Sequence, residues 1–143
     1  MKLVDANVLL YAVDTSAPRH REARGWLDTA LSGAETVILP WLCLLAFLRI
    51  STHPAIYPRP LTAEQAISIV TAWTRRPNVV TDPPTAQHAE LLDRMLAATG
   101  VGGNLVNDAH VAALAIEHGA TVVTFDSDFG RFPEVRWEVP TAG

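Results

Sequence analysis

Short apolar runs alternate along the chain with longer segments in which apolar residues recur every three or four positions. The short runs are typical of buried strands and lie at residues 3–4, 36–39, 78–81, 121–124 and 136–139. The longer segments predict helices; the first begins at residue 8, and the others lie at residues 19–31, 40–52, 62–76, 85–98 and 107–118. This alternation is typical of an α/β protein, a three-layer sandwich with helices on both faces of a mostly parallel central sheet of four to five strands.

The composition fits a single globular domain over residues 1–143, because 49% of the residues are hydrophobic and 18% are charged. One cysteine, Cys43, lies inside an apolar run, which excludes a disulfide framework and predicts a buried thiol. We expect no signal peptide, because Met1-Lys2 leads directly into the first predicted strand. The longest apolar run, at residues 37–48, contains Pro40, ends at Arg49 and is too short to span a bilayer. We expect a cytoplasmic protein that is not bound to membranes.

The formal net charge of −4 argues against a protein that binds nucleic acid through bulk positive charge. It does not exclude an enzyme that reaches phosphates through metal ions held by clustered acids. Nearly all of the basic charge is arginine, with Lys2 as the single lysine. Arginine suits bidentate phosphate contacts, although a GC-rich genome would produce the same bias.

Three acidic residues follow strands or begin helices in a way that places them at one edge of the predicted sheet. Asp5 comes directly after the first strand, and Asp126 follows the strand at residues 121–124. Asp108 lies in the first turn of the helix at residues 107–118, above its buried face. Because like charges that lie close together repel unless a cation joins them, the set indicates a site for Mg²⁺ or Mn²⁺, with Asp128 as a fourth candidate ligand.

Each of these acids also has an ordinary structural explanation. Asp5 could cap the first helix, and Asp108 could interact favourably with the dipole of its helix. The sequence from Asp126 to Asp128 is also typical of a turn. The metal-site interpretation depends on the three positions acting together.

Three short motifs contain these acids: Asp5-Ala-Asn7-Val, Asn107-Asp108-Ala-His-Val-Ala-Ala with Ala115, and Thr124-Phe-Asp126-Ser-Asp128-Phe129. They resemble the motifs of the PIN-domain ribonucleases, and more closely those of the VapC toxins of type II toxin–antitoxin modules. The stretch from Leu39 to Thr62 resembles a mycobacterial branch of the same family. The resemblance covers nearly the whole chain, and the order and spacing of the motifs agree with it.

The resemblance implies a PIN fold and a Mg²⁺-dependent endoribonuclease, with Mn²⁺ as a possible substitute. Asp5, Asp108 and Asp126 would be the catalytic residues, and with Asp128 they would be the metal ligands. Asn7 and Thr124 would support them, although Asn7 is also a good candidate for a helix N-cap. The implied partners are RNA, a cognate antitoxin and a second copy in a homodimer. The RNA target, the antitoxin and the number of metal ions are not specified by the sequence.

The chain departs from the family in one respect. The family usually has a glutamate on the helix after the second strand, but residues 36–63 contain no acid, and Ala46 lies close to the expected position. Fewer acidic ligands would weaken metal binding. The alternative function is therefore a catalytically weak PIN-fold module that binds RNA or antitoxin.

Several other residues have open interpretations. Arg49 could contact RNA or form an ordinary ion pair. His110 and His118 are interpreted as structural, and contacts with protein partners are expected on the apolar helix at residues 40–52 and on the face formed by Val70 and Trp73.

Other phosphate-handling folds fit the sequence poorly. A haloacid-dehalogenase-like phosphatase would need a second acid in the first motif, and a receiver domain would need a lysine near its end. The glycine-rich stretch at residues 100–103 predicts a flexible loop. It follows a helix rather than a strand and lacks a Lys-Ser/Thr pair, so it is not a nucleotide-binding loop.

Overall fold

A computed structural model describes residues 1–81, 83–100, 103 and 105–141. Its strands are β1 (Lys2–Val4), β2 (Val37–Ile38), β3 (Val79–Val80), β4 (Thr121–Val123) and β5 (Trp137–Glu138). Its helices are α1 (Ala6–Val13), α2 (His20–Ser32), α3 (Trp41–Ser51), α4 (Ala63–Thr74), α5 (His88–Thr99) and α6 (Leu105–His118). A short 3₁₀ helix covers Ser127–Arg131.

The strands form one sheet in the order β3-β2-β1-β4-β5, and every pair in it is parallel. The predicted α/β fold with a parallel sheet is therefore confirmed. Strand β1 is central, and Lys2 is in register with Val37 on one side and with Thr121 on the other. Because parallel strands all end at the same edge, the residues after β1 and β4 lie side by side, which is where ligands bind in such sheets.

The central strands are buried, with Leu3, Val4 and Val122 fully inaccessible to solvent. Helix α1 packs against α2 and α3, α3 packs against α4, and α5 packs against α6. None of the helices in the described ranges is long and apolar enough to cross a membrane.

Helix α3 is apolar on more than one side, but the structure buries only part of it. Cys43, Leu44 and Phe47 belong to the core, whereas Trp41 and Leu45 are 49% and 56% exposed. The exposed pair leaves apolar area on α3, and partner contact there stays a prediction.

The second predicted contact surface is wrong. Val70 and Trp73 of α4 are 4% and 9% exposed, so they are already covered within the chain. The ring of Trp73 packs edge-on against that of Phe47 in α3, with the ring centroids 4.9 Å apart. The face that looked available for a partner is used to attach α4 to α3.

Two predicted helix starts differ from the structure. The helix predicted from Thr85 begins at His88, because the backbone N–H and the hydroxyl of Thr85 both donate to Glu117 in α6. The helix predicted from Asn107 begins two residues earlier, at Leu105. In the glycine-rich stretch, Gly100 ends α5 with a positive φ of 69°. Residues 101 and 102 of the predicted loop lie outside the described part of the chain.

Candidate active site

Asp5 lies directly after β1, in the middle of the sheet, and is 9% exposed. Its Oδ1 accepts a 2.8 Å hydrogen bond from the N–H of Ala6, which caps α1. Asp5, and not Asn7, is therefore the N-cap, because α1 begins immediately after the strand and places Asn7 inside its first turn. Capping occupies one carboxylate oxygen, and it does so without turning the group away from the edge of the sheet.

The other oxygen of Asp5 is held by the strand alongside. Thr124, fully buried after β4, donates a 2.8 Å hydrogen bond from its hydroxyl to Asp5 Oδ2. Asn7 Nδ2 lies 3.3 Å from the same oxygen and 3.1 Å from Thr124 Oγ1. Asn7 Oδ1 accepts from the N–H of Phe125 at 3.1 Å. One network therefore fixes Asp5 against the end of β4.

The same hydroxyl also orients the next acid. Thr124 Oγ1 accepts a 3.0 Å hydrogen bond from the N–H of Asp126, and Asp126 Oδ1 accepts one of 2.9 Å from the N–H of Asp128. This second bond caps the 3₁₀ helix that follows. Asp128 Oδ1 lies 3.6 Å from Arg131 Nε, and both side chains are largely exposed. Asp128 therefore lies at the solvent margin of the group.

Asp108 lies in the first turn of α6 and is half-buried. Burial raises its pKa from 3.8 to about 6, and repulsion by Asp5, Asp126 and Asp128 adds to the rise. Burial also raises the pKa of Asp5; hydrogen bonds from Thr124 and Ala6 oppose the rise, and repulsion by Asp126 adds to it. The acids predicted from three separate motifs thus act electrostatically as one group. Removing water from like charges is costly, and a bound cation would offset that cost.

Cys43 of α3 lies behind this group and is 2% exposed, which confirms the predicted buried thiol. Its Sγ is 4.0 Å from Asp5 Oδ1. Burial, with further contributions from the charges of Asp5 and Asp108, raises the pKa of this thiol well above its usual value. Cys43 is therefore a neutral, weak hydrogen-bond donor at the back of the site, not a thiolate nucleophile.

Asp5 and Asp108 line the same cavity, which has a volume of about 540 Å³. Its other walls come from α3, from the first turn of α1 and from the first two turns of α6. Those wall residues are Ala6, Leu42, Cys43, Leu45, Ala46, Arg49, Asn107 and Val111. Neither Asp126 nor Asp128 is among the lining residues. Ala46 also lines this cavity, so α3 supplies no acid to the wall at this position.

The donor set fits a magnesium ion held by few protein ligands. Among the described residues, no group of three or more His, Cys, Asp and Glu side chains is arranged to hold a metal ion by itself. Asp5 and Asp108 supply hard carboxylate oxygens to one cavity. Magnesium commonly binds through one or two carboxylates and completes its octahedron with water and substrate phosphates. The site fits that mode and offers no closed cage.

The cavity contains two polar residues to which the sequence assigns no definite part in the site. For Arg49, contact with RNA and an ordinary ion pair are equally compatible with the sequence, and Asn107 is notable only as part of a motif. The spacing in sequence could have placed Arg49 in the site, because it follows Ala46 by three residues and residues three apart share a helix face. No comparable signal marks Asn107, whose exposure depends on the way α6 approaches the sheet.

His110 belongs to a separate network between α5 and α6. Its Nδ1 lies 2.9 Å from His88 Nε2, and His88 Nδ1 lies 2.6 Å from Glu117 Oε2. The histidine rings meet edge to face. These contacts agree with the structural interpretation of His110.

The chain has a parallel sheet in this strand order, with acids at the carboxyl ends of β1 and β4 and at the start of α6. These features define the class of the protein as an α/β domain with an acidic site at one edge of its sheet. The PIN domain family model matches residues 2–135, and the chain belongs to that family.

Among its relatives, the chain is 55% identical to the ribonuclease VapC37 of Mycobacterium tuberculosis, over 99% of each chain. The fold matches that of a chain in the crystal structure of VapBC2 from Rickettsia felis, which was determined bound to a DNA fragment from the promoter. The TM-score is 0.70 at 20% identity, with 97% and 98% of the two chains covered. It also matches Mycobacterium tuberculosis VapC20, a toxin that cleaves the sarcin–ricin loop. There the TM-score is 0.66 at 20% identity, with 95% and 99% covered.

Proposed function

We propose that this protein is an endoribonuclease that hydrolyses RNA phosphodiester bonds with the help of Mg²⁺. It would act as the toxin of a type II toxin–antitoxin module. The observation that carries the proposal is the shared cavity of Asp5 and Asp108, in a chain that is 55% identical to a ribonuclease over nearly its whole length. Water and an RNA phosphate can both reach a cavity of this size, which lies at the edge where such sheets bind ligands.

Within the proposal, Asp5 and Asp108 are the direct ligands of the metal, and Asp126 acts directly or through water. When bound, Mg²⁺ or Mn²⁺ would lower the pKa of an attacking water and neutralise charge that develops on the phosphate. Thr124 and Asn7 hold the Asp5 carboxylate in one orientation, which lowers the cost of organising the site during the reaction. Asp108 must lose its proton to act as a ligand. Leu42, Leu45 and Val111 supply the apolar part of the cavity wall.

The proposed partners are a cognate antitoxin and a second copy of the chain. The support for an antitoxin is that a structural neighbour of similar fold was determined as a VapBC assembly. Leu45 of α3 lines the cavity, and Trp41 lies one helical turn before it. Both side chains are exposed and offer apolar area for a partner.

The decisive experiment expresses the wild type and Asp108→Asn and maps new 5′ ends in total RNA. Asp28→Asn is the matched control, because Asp28 is an exposed acid on α2 that pairs with Arg24 at 3.6 Å. We expect discrete new ends and growth arrest with the wild type and with Asp28→Asn, and neither with Asp108→Asn. Identical new ends from the wild type and from Asp108→Asn would refute a metal-dependent nuclease.

The weak binding module remains the second candidate, and Ala46 in the cavity wall favours it. With no acid at this position, the described residues include no group of three or more candidate ligands arranged to hold a metal ion. This candidate predicts that any growth arrest survives both Asp5→Asn and Asp108→Asn. The same expression experiment therefore separates the two functions.

A further inference from the structure

Arg49 is a basic residue in the wall of the cavity that Asp5 and Asp108 line. It lies in the last turn of α3, is exposed, and lines the cavity together with Asp5 and Asp108. Of the described residues that form these walls, no other is basic. A guanidinium beside carboxylates that already repel each other changes the kind of ligand that the cavity can accept.

The Arg49 side chain is not engaged elsewhere in the described part of the chain. Five other arginines each bind a carboxylate, a carbonyl or a hydroxyl group. They are Arg24, Arg76, Arg94, Arg131 and Arg136. Arg49 makes no such contact with any residue that the structure describes, although two carboxylates line the same cavity. Its five N–H donors therefore remain open to a ligand.

The residue one helical turn before Arg49 does not compete for its guanidinium. Ala46 lies one helical turn before Arg49 and lines the same cavity. A glutamate at position 46 would lie three residues from Arg49, a spacing at which opposite charges pair on a helix. With alanine there, no acid of α3 pairs with the guanidinium inside the cavity. An unpaired guanidinium favours an anionic group such as a phosphate as its ligand.

We propose that Arg49 is a substrate-binding residue that holds an RNA backbone phosphate next to the one that is cleaved. The proposal rests on the proposed nuclease function and assigns part of its substrate-binding surface. A planar guanidinium can form two parallel hydrogen bonds to phosphate oxygens. The cavity volume of about 540 Å³ is within the range that encloses a small ligand, so one nucleotide can enter beside the acids.

The first test compares the cleavage kinetics of purified full-length Arg49→Ala, Arg49→Lys and wild type at saturating Mg²⁺. The substrate is a labelled oligoribonucleotide that spans a cleavage site mapped by the expression experiment. We expect Arg49→Ala to raise KM about tenfold and to change kcat less than threefold, because the lost contact binds substrate and transition state alike. Arg49→Lys keeps the charge without the fork and should raise KM about threefold.

The matched control is Arg75→Ala. Arg75 is an exposed arginine that ends α4, just before β3. It therefore lies at the amino edge of the sheet, opposite the acids, and its loss should leave KM within twofold of the wild-type value. An unchanged KM in Arg49→Ala, or a loss confined to kcat, would overturn the proposal.

The second test measures RNA binding without cleavage, by fluorescence anisotropy of a 2′-O-methyl oligonucleotide over a range of salt concentrations. Removing one phosphate contact should lower the slope of log Kd against log salt by about one in Arg49→Ala, and Arg75→Ala should keep the wild-type slope. If the wild type cleaves no RNA, the nuclease proposal fails, and this titration still decides the role of Arg49. Cleavage that depends on Asp108, combined with an unchanged slope, would retain the nuclease and reject the Arg49 contact.

Discussion

The hydroxyl of Thr124 donates a 2.8 Å hydrogen bond to Asp5 Oδ2, joining two residues that are 119 positions apart in the sequence. The bond links the end of β4 to the end of β1 at the edge where the acids gather. Thr124 is fully buried, and its oxygen also accepts from the backbone N–H of Asp126. One side chain therefore sets the positions of two of the proposed catalytic acids.

Replacing Thr124 with valine should destabilise the protein and impair the site. Valine has nearly the same shape, but it leaves Asp5 Oδ2 and the Asp126 N–H without their buried partner. Such a loss costs about 1–3 kcal/mol of the free energy of unfolding. Because the Thr124 hydrogen bond opposes the rise in the pKa of Asp5, its removal should raise that pKa further. Urea unfolding and cleavage kinetics would measure the two effects.

Thr124→Ser is the matched control for this prediction, since it retains the hydroxyl and loses a methyl group. It should keep more of the activity than Thr124→Val does. Equal activity in the serine and valine variants would show that the hydroxyl does not organise the acids.

Asp108 should make the metal-free protein less stable at neutral pH than at mildly acidic pH. Its pKa rises from 3.8 to about 6 in the folded state, so between these values the folded state binds the proton more tightly than the unfolded state does. Stability from this residue is therefore greatest below pH 4 and is lost as the pH rises through 6. Since Asp108 is half-exposed and its charge is screened, the loss should be about 1 kcal/mol.

Asp108→Asn should remove this dependence and raise the thermal midpoint at pH 7 without added metal. Thermal unfolding in EDTA from pH 4.5 to 7.5, for the wild type and the variant, would measure the difference. Added Mg²⁺ should stabilise the wild type more than the variant, because under the proposed function the ion would bind the folded state through this carboxylate. A variant that follows the wild type at every pH would contradict the prediction.

The sequence predicts the layered parallel fold well because the pattern of buried strands and amphipathic helices is local. Leu3 and Val4 are apolar and are followed directly by the helix-cap candidates Asp5 and Asn7, and both are fully buried in the structure. The position of Asp5 after β1 follows from the same pattern. The resemblance to the PIN domain family, first suggested by three short motifs, is confirmed by the family match over residues 2–135.

Features that depend on packing between distant elements could not be predicted in the same way. Nothing local shows that Trp73 would pack on Phe47 rather than face a partner, since both alternatives need an apolar helix face. The sequence offers both Asp5 and Asn7 as the cap of the first helix, and the local bond to Ala6 selects Asp5. The contacts of Asn7 with Thr124 and Phe125 depend on the three-dimensional placement of the end of β4. The open guanidinium of Arg49 is likewise a property of the cavity and not of its neighbours in sequence.

Replacing Trp73 with alanine should lower the free energy of unfolding far more than replacing Trp41, because Trp73 is buried and Trp41 is exposed. Trp73→Ala removes a buried ring packed on Phe47 and should cost about 3–5 kcal/mol of the free energy of unfolding. Trp41 is 49% exposed, so Trp41→Ala should change stability by less than about 1 kcal/mol. If α3 is a partner surface, Trp41→Ala should instead weaken self-association or antitoxin binding, measurable by analytical ultracentrifugation. Similar unfolding energies for both variants would contradict the assignment of Trp73 to the core.

Ala46→Glu should lower the Mg²⁺ concentration needed for half-maximal RNA cleavage. The new carboxylate would enter the cavity of Asp5 and Asp108 and supply a third acidic ligand, and affinity for hard cations rises with the number of charged ligands. The same carboxylate lies one turn from Arg49 and would pair with it, so KM for RNA should rise while the metal requirement falls. Ala46→Gln, which has nearly the same shape without the charge, should show neither change. If Ala46→Glu needs the same Mg²⁺ concentration as the wild type for half-maximal cleavage, position 46 does not approach the metal. The aspartates at positions 5, 108 and 126 would then have to hold the ion without a ligand from α3.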